Sequence, residues 1–108
     1  KDFKHAACGM IGLESAFGVV NKTLKDADMQ IEKIIDLFVK NPSQIMNIIP
    51  NTIEENNEAE LNIIDDDVEW LFDEDCIMSK SSNTPFINCK LKGRILTTIN
   101  KGFIRISK

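Results

Sequence analysis

The residues able to do chemistry in this chain are few, and their spacing limits what they can do. His5 is the single histidine. A hydrolytic zinc site takes three protein ligands, at least one or two of them His, so one imidazole cannot build it. A lone His beside a lysine reads as solvated, with a contribution to substrate binding as the alternative. Cys8 stands before Gly9 and ahead of a helical pattern, where a helix dipole lowers a thiol pKa. No second His or Asn occupies a recognisable partner position, so the spacing does not support a Cys-His nucleophile. What the segment offers is main chain. A turn of small residues ending in Cys8-Gly9 lets N–H and C=O groups approach a ligand, and Gly9 removes the side chain that would obstruct it. A glycine needed only for tight packing fits equally well. The acidic set Asp65, Asp66, Asp67, Glu69, Asp73, Glu74 and Asp75 invites a calcium reading. It lacks the alternation, the sixth-position Gly and the closing Glu of an EF-hand loop, and reads as exposed turns. Residues 79–86, polar until Phe86, read as a loop crossing between strands with an aromatic plug.

These residues have to be positioned by a small set of elements. Met10, Leu13, Ala16, Phe17 and Val20 recur at helical spacing and predict a helix over 9–24, weakened by Gly12 and Gly18. Ile31, Ile34, Ile35 and Phe38 fall at i, i+3, i+4 and i+7 and predict a second helix, capped by Asp26 or Asp28 and ended by Asn41-Pro42. Burying such a stripe is worth roughly 1.5 to 3 kcal/mol per large side chain, so this helix must dock on something. A short helix over 43–47 follows. Beyond Pro50 the period changes to two. Strands are expected over 60–65, with Leu61 and Ile63 on one side, and over 68–72, with Val68, Trp70 and Phe72 together. Asp65-Asp66-Asp67 is read as the turn between them. A terminal hairpin is expected from 94–99 and 103–107 around Asn100-Lys101-Gly102. Four strands leave edges that need pairing and the helices lack a third layer, so neither half reads as self-sufficient.

A length of 108 residues allows one small domain. With 13 basic against 17 acidic residues the chain offers no electrostatic reason for a nucleic-acid partner. No apolar run approaches the roughly 20 residues of a membrane span, and residues 1–5 lead into no secretory segment, so no membrane partner is expected. Cys8, Cys76 and Cys89 fit neither a disulfide framework nor a zinc knuckle, which points to a reducing, cytoplasmic compartment. Opening at Lys1 without an initiator Met, inside a run of motif residues, the chain is expected to start within a longer protein.

Taken in order, the segments resemble the carboxyl-terminal portion of dihydroorotase, in the cyclic amidohydrolase superfamily. Residues 5–17, with Cys8-Gly9 and Gly12-Leu13-Glu14-Ser15-Ala16, resemble "A-P-F-G-x-x-G-L-E-T-A", the segment after the last barrel strand. Residues 31–48 are similar to the final barrel helix and the short helix after it. Residues 53–65 resemble "I-x-x-G-x-x-A-D-L-x-I-x-D", residues 79–86 resemble "S-K-x-x-N-[ST]-P-F", and residues from Leu91 through Ile95 resemble "L-x-G-x-V-x-x-T".

The resemblance implies an α/β architecture. Residues 1–50 would supply the last helices of a (β/α)8 metal-dependent hydrolase barrel, and residues 51–108 the carboxyl-terminal strands of a small composite β-sandwich. It implies zinc-dependent, reversible hydrolysis of dihydroorotate to N-carbamoyl-L-aspartate in pyrimidine biosynthesis, by a zinc-bridging hydroxide and a metal-bound Asp. Zinc would be bound by residues outside this chain, so no catalytic or metal-binding residue is assigned here and the chain alone is expected to be inactive. The family touches its substrate ring through the last two residues of "A-P-F-G", which fall on Cys8 and Gly9. Ala7 and Cys8 replace the Pro and Phe, which removes the aromatic but keeps the backbone. Asn56 and Asn88 replace family glycines, and Asn tolerates left-handed geometry. Implied partners are a small-molecule substrate, the rest of the barrel polypeptide, and a second copy of the chain or aspartate transcarbamoylase. Three rivals remain open at this point: an allantoinase- or hydantoinase-type cyclic amidohydrolase, a non-catalytic dihydroorotase-like scaffold subunit, and an independent α+β interaction module.

Overall fold

The alternation of Val68, Trp70 and Phe72 places all three on the more buried face of one strand, as a period of two requires. In the computed structural model, which describes residues 2–6 and 8–107, that strand is longer than its pattern implies. Strand β1 runs unbroken over Glu60–Phe72 and pairs antiparallel with β2, Cys89–Asn100, which pairs antiparallel with β3, Phe103–Ile106. The sheet order is β1-β2-β3, so the expected four strands are three among the described residues.

Asp65, Asp66 and Asp67 do not turn the chain; they form a bulge. Asp65 faces Arg94 and Glu69 faces Lys92, so residues 66–68 of β1 oppose Gly93 alone. The Asp65 carboxylate accepts the N–H groups of Asp67 and Val68, each at 3.0 Å, supplying partners the ladder has given up. A second irregularity leaves Leu96 unmatched between the pairs Ile63↔Thr97 and Ile64↔Ile95. Beside it Ile63 is exposed and Ile64 half-buried, the reverse of the face expected for Ile63. β2 also begins five residues earlier than expected, because Gly93 interrupts an apolar pattern that starts at Leu91. The terminal hairpin forms as expected. Asn100 pairs with Phe103 across Lys101 and Gly102, whose φ values of 48° and 84° are those of a type I′ turn.

Of the helices, α2 occupies Ile31–Phe38 as its spacing implies, and α1 is shorter than expected, covering only Ala16–Lys25. The N–H groups of Ser15 and Ala16 bond to the Gly12 carbonyl at 3.1 and 2.7 Å in a turn that precedes α1. Met10 and Leu13 therefore lie off the helix and exposed. The N-cap of α2 is Gln30 rather than Asp26 or Asp28, and Asp28 turns the connection with φ 59°. α2 ends before Asn41-Pro42. Pro42 sits in the first turn of α3, Lys40–Ile45, where its missing N–H has no helical acceptor to serve.

α1 lies across β2, and Gly18 is the point of contact: a Cβ there would stand 3.0 Å from the Leu91 Cβ and 3.2 Å from the Gly93 carbonyl. The residue that weakens the helix is the one that admits the strand. Asn21, wholly buried, donates its amide to the carbonyls of Asp66 and Lys92, both at 2.9 Å, and so ties α1 to β1 and β2 at the bulge. Trp70 donates its indole N–H to the Gly93 carbonyl at 2.9 Å, meets Phe72 edge-on at 5.9 Å, and carries the Arg94 guanidinium 4.9 Å above its ring. Phe17 and Phe38 join α1 to α2 at 5.9 Å. Among the described residues the buried apolar core is small, Ile34, Phe72 and Leu91, and the radius of gyration of 15.9 Å exceeds the about 13 Å of a compact domain this long. No helix among the described residues is long and apolar enough to cross a membrane.

The bulge is also charged. The Lys25 ammonium reaches Asp66 at 2.5 Å and Asp67 at 2.9 Å, and Lys92 reaches Asp67 at 3.3 Å. Hydrogen bonds from Lys25 and then Lys92 hold the Asp67 carboxyl below its ordinary 3.8, and bonds to Asp66 and then Asp67 hold Lys25 above its ordinary 10.5. A depressed carboxyl stabilises the fold fully above its unfolded value and loses that contribution as pH falls through the lower folded one; the raised amine does so below 10.5 and loses it as pH rises through the higher one. Urea midpoints of Asp67→Asn and the parent chain should therefore diverge most at neutral pH and converge on acidification below 3.8. The gap should narrow in high salt, as for any exposed cluster. A gap independent of pH would show that the bulge is held by its backbone bonds alone.

Candidate functional site

The segment from Cys8 to Glu14 belongs to no helix or strand and ends in a turn, and it is held by the loop between β1 and β2. That loop contains a 3-10 turn over Glu74–Cys76 and then the polar run from Ser79. Its hydroxyls shape it locally: Ser79, Ser81 and Thr84 each accept the N–H two residues on, at 3.3, 3.4 and 3.3 Å. Phe86 is half-buried, as the plug reading expects, and its carbonyl accepts the Cys89 N–H at 2.9 Å where β2 begins.

Two residues link loop and segment. Asn83 donates its side-chain amide to the Gly9 carbonyl, and its own carbonyl accepts the Ile11 N–H at 2.9 Å. One Glu14 carboxylate oxygen accepts the N–H groups of Met78 and Ser79 at 3.1 and 3.0 Å. Both Cys8 and Gly9 are exposed, and a Cβ on Gly9 would meet nothing within 4 Å among the described residues. Packing inside this chain therefore does not require glycine at position 9. Ala7, part of the expected small-residue turn, lies outside the described residues, as does Lys1.

Other candidates resolve differently. Cys8 is not at a helix N-terminus, because α1 starts only at Ala16, so a dipole-activated thiol is not supported. His5 is exposed in a 3-10 turn over Phe3–His5, its N–H bonded to the Asp2 carbonyl at 2.9 Å. Asp65 to Asp67 serve the bulge and its lysines. No group of three His, Cys, Asp or Glu side chains converges among the described residues, so these residues do not fit zinc. A cleft of about 370 Å³ lined by Lys25, Asp28, Met29, Gln30, Ile31, Asp66 and Lys92 includes neither Cys8 nor Gly9. Asn83 and Glu14 carry no catalytic pattern, and only their place in the quoted family segments singles them out.

Similarity to known proteins covers nearly the whole chain. A dihydroorotase of Clostridium acetobutylicum is 36% identical over 105 residues, 96% of this chain and 25% of that protein. One from Chlorobaculum tepidum is 41% identical over 92 residues, 84% and 21% respectively, and one from Aquifex aeolicus 32% over 94 residues, 87% and 22%. The chain resembles the carboxyl-terminal portion of the dihydroorotases. It spans about a quarter of the length of the curated relatives it matches. No family model matches it. At two places where the dihydroorotase segments carry glycine, Asn56 and Asn88 adopt φ 69° and 61°, so the left-handed turns persist with Asn in place of Gly.

Proposed function

We propose that the chain is the closing segment of a zinc-dependent dihydroorotase, which reversibly hydrolyses dihydroorotate to N-carbamoyl-L-aspartate in pyrimidine biosynthesis in the cytoplasm. The observation that carries this reading is the extent of the similarity, 84 to 96% of the chain against proteins of that name. Residues 1–50 then close a (β/α)8 barrel and residues 51–108 complete a small β-sandwich. Exposed Ile45, Met46, Ile48 and Ile49 after α2, and Phe103, Ile104 and Ile106 on β3, support it, since such apolar surface is what neighbouring polypeptide covers. Zinc belongs to residues outside this chain. The part assigned to the chain itself is to present main chain at Cys8 and Gly9 to the substrate ring. Gly9 leaves the approach open, and the Cys8 thiol takes less room than the aromatic of the family segment.

The test is a chimera in which these 108 residues replace the matching segment of the Clostridium acetobutylicum dihydroorotase, beside the chain alone. The chimera should bind zinc and turn over dihydroorotate in preference to allantoin or hydantoin, and the chain alone should do neither. A folded, zinc-replete chimera without dihydroorotate turnover, or turnover by the chain alone, would overturn the proposal.

A further inference from the structure

We infer that Asn83 and Glu14 are positioning residues that hold the Cys8–Gly9 main chain in place for the substrate; the inference rests on the dihydroorotase reading above.

The segment needs such a device. Between Cys8 and Ile11 it belongs to no helix or strand, and a strip of backbone without partners samples many conformations that binding would have to restrict. A binding contact made through main chain gains affinity only if that ordering is already done. Asn83 grips the strip on both sides of Met10, taking the Gly9 carbonyl with its side chain and the Ile11 N–H with its main chain. These bonds fix the peptide planes on either side of Met10 and leave the side of Gly9 open, where a Cβ would meet nothing within 4 Å among the described residues. Glu14 closes the other end. With one oxygen shared by two consecutive N–H groups, Met78 and Ser79, it anchors the start of the polar run that carries Asn83. Loop and segment thus brace each other, and neither side chain needs to touch the substrate.

The roles differ in chemistry, which makes them separable. Glu14 acts as an acceptor, so Gln, which keeps a carbonyl oxygen in the same place, should substitute for it and Ala should not. Asn83 acts as a donor toward Gly9, so Asp, which presents an acceptor to an acceptor, should fail as Ala does.

The experiment uses the active chimera, with the parent's turnover established first. Asn83→Ala, Asn83→Asp and Glu14→Ala should raise the KM for dihydroorotate about tenfold, the equivalent of one lost hydrogen bond, with kcat within about twofold of the parent. Glu14→Gln should stay within about twofold in both. Independently of activity, amide exchange at Met78 and Ser79 should quicken in Glu14→Ala and not in Glu14→Gln, and at Ile11 in both Asn83 variants. An active parent whose Ala variants keep their KM overturns the positioning role, as does a Glu14→Gln variant as impaired as Glu14→Ala. An inactive parent that retains the exchange pattern instead overturns the dihydroorotase reading, and the substrate role falls with it. Because Asn83→Asp and Glu14→Gln preserve volume, misfolding of the Ala variants leaves the inference exposed to the same tests.

Discussion

Phe72→Ala should lower the stability of the fold by about 3 to 5 kcal/mol, the range for removing a buried ring from a packed core. Phe72 is 1% exposed, ends β1 opposite Cys89, and receives the edge of Trp70 at 5.9 Å. Its carbonyl also takes the Asn88 N–H at 2.7 Å, so the end of the strand and the start of the returning segment are fixed together. Among the described residues the other buried apolar side chains are Ile34 and Leu91, so few buried neighbours are available to collapse into the space. Phe72→Leu should lose well under half as much, since most of the volume stays filled. Urea unfolding followed by far-ultraviolet circular dichroism measures both. A loss below about 1 kcal/mol for the Ala variant would mean that this ring does not carry the core.

Gly93→Ala should be next in size, about 3 kcal/mol, for two separable reasons. Gly93 has φ +89°, where an L side chain costs roughly 1 to 2 kcal/mol. In addition, a Cβ there would stand 2.5 Å from the Asn21 side-chain amide, which is wholly buried and committed to the carbonyls of Asp66 and Lys92. Displacing it forfeits two hydrogen bonds worth about 1 kcal/mol each. Asn21→Ala relieves the closest collision and leaves the φ strain and the Phe17 ring at 3.0 Å, so the double variant should be less damaged than the sum of the single ones. Trp70, the single tryptophan, donates its indole N–H to the Gly93 carbonyl and reports on the site by fluorescence. Additive losses would show that the two residues do not share a steric contact.

Much of the scaffold was legible because its signals are local. The stripe of Ile31, Ile34, Ile35 and Phe38 forms α2, and Lys101-Gly102 makes the I′ turn, because each depends on residues within one or two turns of chain. Asn56 and Asn88 kept their left-handed geometry for the same reason. The misreadings arose where periodicity met an interruption. Three consecutive aspartates resemble a turn in isolation, yet Gly93 in the partner strand absorbs the extra residues as a bulge and Lys25 offsets their charge. Met10 and Leu13 match a helical face, but the Gly12 carbonyl collects two N–H groups in a turn and α1 starts only at Ala16.

The substrate-facing candidates Cys8 and Gly9 came from a resemblance carried by the chain of residues, and so did the expectation that zinc ligands lie elsewhere. Composition and spacing by themselves determined the α2 helix, the alternating face of β1 and the terminal hairpin, since all of these follow from residue type and short-range order. Only the tertiary structure decided which distant carbonyls the amides of Asn21 and Asn83 would meet. Their partners lie 45, 71 and 74 residues away, and no local preference of an amide side chain selects among the carbonyls of a folded chain until packing has brought one within reach.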